Sequence, residues 1–234
     1  MPEAAPNPEL LRSLGKLARG LSALFWGLPA ALIVSVRAAK SEWLPPWTLV
    51  AVVSLHALLL FGLWQMGSFQ KQERQWISAL DRARLLGLVD LGLSPFLYWS
   101  NRVPAQDFFT IAVLILGVSS LLFLFNLNVV LERLGAMLPD ETLRQETRQF
   151  TAVNRGLLLA LLLVSVAYFI FLRWPNLPLN LRLIALLLEN YSLAALIFLI
   201  LLPMAMTMAL LWKTKEVILD SVFSSSPPAS GAMN

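Results

Sequence analysis

The chain has 234 residues, of which 58% are hydrophobic and only 14% charged, and its net charge is +4. Soluble domains average about 45–50% apolar and 25% charged residues; a soluble fold of this size could not hide the excess from water, whereas lipid solvates it. Cysteine is absent, which excludes disulfides, thiolate metal sites, iron–sulfur clusters and cysteine nucleophiles, and the single histidine, His56, excludes a two-histidine haem or three-histidine zinc site within one copy.

Residues 1–19 read as a cytoplasmic tail. Within it Leu10, Leu11, Leu14 and Leu17 recur at helical spacing opposite Arg12, Lys16 and Arg19. That pattern suits either a short helix lying on an anionic leaflet or the start of the first span. The first apolar span lies near 20–36 and contains Pro29. It is long for the core of a signal peptide and is followed by a poor cleavage site, so a retained span is expected. A turn bearing Trp43, Pro45, Pro46 and Trp47 leads to a second span near 47–66.

The polar segment after it suggests an amphipathic surface helix over 70–76. Residues 85–99 form a short apolar stretch interrupted by Asp90 and Pro95. A strong span follows near 108–131. In the next polar segment Pro139, Asp140 and Glu141 mark a helix start with acid in its first turn. Further spans are expected near 156–172 and 191–212. Residues 213–234 read as a second cytoplasmic tail, with a Ser-, Pro-, Gly- and Ala-rich end that has little to bury.

Charge placement decides whether residues 85–99 cross. If they do, thirteen Lys and Arg residues fall on the side of both termini and five on the other. If they do not, the split is ten against eight, almost without bias. The positive-inside rule favours the first arrangement. Trp43, Trp47, Tyr98, Trp99 and Trp174 then sit at the outer ends of helices, and Trp64, Trp76 and Trp212 mark the cytoplasmic side. The expected fold is therefore an all-α, polytopic transmembrane bundle of six spans in three hairpins, with both termini cytoplasmic in an inner membrane. Gly20, Gly87 and Gly156 each open a hairpin, as any up-and-down bundle could produce without a true repeat.

Ala23, Gly27, Ala31 and Ser35 place a small residue at every fourth position of the first span. Such a face lets another helix approach closely. It suits a neighbouring helix of the same chain, and it also offers a second copy or another membrane protein a place to pack. Asp90 is a carboxyl inside the apolar region, by default a functional-site candidate or the partner of Arg82 or Arg84. His56, Glu189 and Asn190 complete the candidate intramembrane polar set. Asn126 and Asn128 fit interhelical hydrogen bonding.

Catalytic motifs are incomplete. Gly117-Val118-Ser119-Ser120 resembles the Gly-x-Ser-Gly nucleophile context of the rhomboid intramembrane proteases, but Ser120 replaces the last glycine and the sixth expected span has no histidine. An aspartyl intramembrane protease needs two intramembrane aspartates. No phosphate loop, dinucleotide fingerprint, cofactor motif or nucleic-acid module is present.

The expectation is a non-enzymatic structural, assembly or partner-binding membrane subunit with the lipid bilayer as its first partner. The alternative is a small transporter using Asp90, His56 and Glu189. A topology reporter fused after Pro104 is expected to read non-cytoplasmic; a cytoplasmic signal there would refute the six-span layout.

Overall fold

The computed structural model describes residues 8–40, 47–103, 106–138, 141–173 and 200–220, and contains no strand among them. Helix α1 covers Pro8–Lys40, α2 Trp47–Met66, α3 Arg74–Leu93, α4 Pro95–Arg102, α5 Asp107–Met137 and α6 Glu141–Arg173. A further helix, α7, occupies residues 200–220. Four stretches are long and apolar enough to cross a membrane: Leu11–Ala39, Trp47–Met66, Asp107–Met137 and Arg144–Ala167.

Three sequence expectations change. Of the two readings of residues 9–19, the start of the first span's helix holds and the separate interfacial helix does not, because α1 runs unbroken for 33 residues. At 1.5 Å per residue it is about 50 Å long, well beyond a hydrocarbon core of roughly 30 Å. The surface helix expected over 70–76 is also absent. A tight turn occupies its place, with Gln70 in the left-handed region at φ 45°, and α3 begins only at Arg74.

The third change concerns residues 85–99, which are not a simple apolar span. They belong to α3 and α4, which are divided at Ser94, before Pro95. Asp81, Arg82, Arg84 and Asp90 make α3 too charged to rank with the four apolar stretches. The break has a local cause. Pro95 has no N–H to give the Leu91 carbonyl, and the buried Ser94 hydroxyl donates to that carbonyl instead, at 2.9 Å. The expected last span, 191–212, falls partly outside the described residues, as do the turns at 41–46 and 174–178.

The tightest packing joins α1 to α2. A Cβ on Gly20 would lie 2.6 Å from the Gly62 carbonyl oxygen, and one on Gly27 would lie 2.8 Å from the Leu59 side chain. Gly27 and Ala31 are buried. The small-residue face of α1 is therefore occupied at Gly27 by α2 of the same chain. Trp26 and Ile33, on other faces of α1, remain exposed.

The main core lies toward the charged ends of the helices. Leu17 and Leu21 of α1, Met66 of α2, Trp76 and Leu80 of α3, Leu131 and Leu134 of α5 and Ile218 of α7 belong to one buried cluster. Trp76, expected at the interface, is wholly buried. Its indole N–H donates to the Phe69 carbonyl at 3.1 Å, and the Phe69 ring stands perpendicular to it at 6.5 Å. A buried indole needs such a partner. At the other end Ala38, Val52, Leu97 and Leu116 form a smaller cluster, and Asn101 of α4 donates to the Ala38 carbonyl at 3.4 Å.

Two Gly→Ala substitutions in α1 should have opposite effects. Gly20→Ala should destabilise by about 1–3 kcal/mol, because a methyl must push two backbones apart. Gly15 has nothing within 4 Å of its potential Cβ. Gly15→Ala should therefore stabilise, by up to about 1 kcal/mol. Reversible unfolding of the purified protein in mild detergent reads both.

Candidate functional site

Two buried polar groups stand out in the bundle. The first is built on α3 and α5. Asp90 lies on the inward face of α3, only 5% exposed, one turn beyond Gly87, where a Cβ would touch Phe123 and Leu60. Its carboxyl turns toward the Ser119 and Ser120 hydroxyls of α5. No well-aligned hydrogen bond closes there: Oδ1 of Asp90 and Oγ of Ser119 are both buried without one.

Arg84 does not pair with Asp90. Its guanidinium bonds Asp81 at 2.9 Å and the Leu63 carbonyl at 3.2 Å, packed where Gly67 lacks a side chain. A carboxyl and two hydroxyls offer fewer oxygens than Ca²⁺ or Mg²⁺ requires. Chemically they suit a hydrogen-bonded solute or a proton better than a divalent ion.

His56 is buried on α2. Its Nδ1 is 2.8 Å from the Val52 carbonyl of its own helix. Glu189 and Asn190 lie outside the described residues. Among those described, no three His, Asp or Glu side chains come together as a metal site would need.

The second group is one that sequence inspection saw only in part. Asn128 of α5, Asn154 of α6 and Thr207 of α7 are all wholly buried. Asn154 Nδ2 donates to Asn128 Oδ1 at 2.9 Å, to Thr207 Oγ1 at 2.9 Å and to the Pro203 carbonyl at 3.1 Å. Asn128 Nδ2 donates to Thr207 Oγ1 at 3.0 Å and to the Leu124 carbonyl at 2.8 Å. Thr207 in turn donates to the Pro203 carbonyl at 2.8 Å. Three helices are clasped at a single level.

The clasp continues as a polar seam. Thr147 and Thr151 precede Asn154 on the same face of α6, and Thr214 follows Thr207 on α7; all are buried. Gly135 of α5 makes room for Thr147, since a Cβ there would meet three atoms of that side chain at 3.2–3.3 Å. Ion pairs flank the seam: Arg155 with Glu132 at 3.1 Å, and Lys213 with Glu146. Among the described residues, Asn126 bonds within its own helix, to the Leu122 carbonyl. The signal that could have revealed the seam is the helical spacing of 147, 151 and 154, and of 207 and 214, within otherwise apolar faces.

Comparison with protein-family models, with curated proteins and with solved structures yields no match.

The clasp should behave as one unit. In a double-mutant cycle of Asn154→Ala and Thr207→Val, the coupling energy should be about 0.5–1.7 kcal/mol, the range of interhelical hydrogen bonds in membrane proteins. Unfolding of the four proteins in detergent measures it, and strict additivity would show that the two side chains are independent.

Proposed function

We propose that the chain is a non-catalytic structural or assembly subunit of a cytoplasmic membrane, with six spans in three hairpins and both termini cytoplasmic. The observation that carries this reading is the clasp of Asn128, Asn154 and Thr207. Its asparagine amides donate from helix to helix and its threonine hydroxyl donates to the Pro203 carbonyl of its own helix, bonds that hold an architecture together and leave those donors to no solute. The four apolar helices make lipid its medium. Because the Gly27 face of α1 is used by α2, another membrane protein or a second copy would meet the exposed Trp26 and Ile33 side of that helix.

A second reading, a small transporter, is favoured by one observation: the Asp90 carboxyl and the Ser119 hydroxyl face each other, each with a buried oxygen lacking a well-formed hydrogen bond.

Two measurements on the full chain separate them. Solubilised gently from its native membrane, the protein should migrate as part of an assembly larger than one 26.1 kDa chain in its micelle. Reconstituted alone in liposomes loaded with proton- and cation-sensitive dyes, it should give no flux above empty liposomes. A flux that Asp90→Asn abolishes, with expression unchanged, overturns the assembly reading.

A further inference from the structure

We propose that the groove on the outer face of α3 binds an anionic glycerophospholipid, with its phosphate held by Lys71, Arg74 and Arg82 and its chains lying against Leu85. This rests on the membrane placement of the helices and on nothing else in the proposed function.

The groove is shallow and open to the surface of the bundle, with a volume of about 610 Å³. Three cationic side chains and the Ser78 hydroxyl supply the donors that a phosphodiester takes. Asp81 also lines it, but that carboxylate is bonded to Arg84 at 2.9 Å, so the balance of charge is positive. The turn before α3 matters here. Gln70 adopts a left-handed backbone, and the folded-back turn sets Lys71 on the same groove as Arg74.

Polarity is graded along α3. Arg74, Ser78, Arg82, Leu85 and Val89 are all exposed and recur at three- and four-residue spacing, so they share one face. Within that outward face, polarity changes along the helix. Its first half is cationic; its second is apolar, with Leu85 64%, Leu88 56% and Val89 39% exposed.

An acidic peptide or a nucleic acid would need positive charge to continue past Arg82. A phospholipid needs the reverse: a cationic seat for the headgroup, then bare apolar surface for the chains. From Arg82 to Val89 the helix rises about 10 Å, along which the upper part of an acyl chain can lie.

Binding can be tested on the full-length protein, purified in neutral detergent, by native mass spectrometry with dioleoyl phosphatidylglycerol or dioleoyl phosphatidylcholine added in turn. The wild type should retain the anionic lipid in preference, and Lys71→Gln with Arg82→Gln should lower that preference on the order of tenfold. Arg12→Gln with Arg133→Gln removes the same charge from exposed positions outside the groove and should leave it unchanged. Ser78→Trp, which fills the groove and keeps every charge, should also abolish it.

Equal loss in the two double variants would mean a diffuse electrostatic effect and would overturn the site. So would retention in Ser78→Trp. If inorganic phosphate at millimolar concentration displaces the lipid and binds in its place, the groove is a phosphate site and the lipid assignment fails. None of these outcomes touches the assembly reading, which stands or falls on the size of the native complex and on flux.

Discussion

Helix association in lipid lacks the force that drives it in water, because a lipid tail is as apolar as a leucine side chain. Helices in a bilayer must be held by close contact and by polar bonds, and both occur here at definite places. Gly20 and Gly62 bring the backbones of α1 and α2 together, each at the position where the other's carbonyl would meet a Cβ. Elsewhere in the bundle, Asn128, Asn154 and Thr207 tie α5, α6 and α7. Between these fixed points the apolar cluster from Leu21 to Leu131 fills the space.

Helices α1, α5 and α6, of 33, 31 and 33 residues, are longer than a bilayer requires, and this has a consequence for where the core can form. The charge-bearing ends of α1, α3, α5, α6 and α7 can pack as a soluble bundle does, burying Leu17, Trp76, Leu134 and Ile218 with water as the opposing phase. Arg84 reinforces that layer. It meets the Leu63 carbonyl near the end of α2, where a cation complements the negative end of the helix, and Gly67 leaves room for it. The same contact withdraws Arg84 from Asp90, so that a nearby cation does not neutralise the buried carboxyl.

Composition and hydropathy made the membrane and the helical class legible, and the spans at 47–66 and 108–131 coincide closely with α2 and with the body of α5. The helix start at Glu141 was legible too, through proline and acid in sequence. What hydropathy could not carry was continuity. A polar stretch such as 9–19 looks like a tail whether or not it is helical, because helix propensity barely distinguishes the two. Trp76 looked interfacial because its neighbours are polar, and only the turn at Gln70 folds Phe69 back to receive it. At the candidate site, Asp90 was visible as a charge out of place. The clasp was half visible, since Asn128 announces itself whereas Asn154 hides among the polar residues 141–155 and Thr207 among methionines.

The helix hardest to classify from hydropathy, α3, is also the one whose polar groups are most sharply divided by function. Asp81 and Arg84 satisfy each other and close the end of α2. Asp90 points inward at two hydroxyls of α5. Arg74, Ser78 and Arg82 point outward into the groove, and none of the inward contacts depends on them. The break at Ser94–Pro95 then ends α3 one turn beyond Asp90, with the Leu91 carbonyl satisfied by a side chain in place of a backbone N–H. An apolar helix would fill the same space without these charges, so the charges of α3 mark contacts of their own. Its inward carboxyl and its outward cations act on different faces, so substitution on one face can be read without disturbing the other.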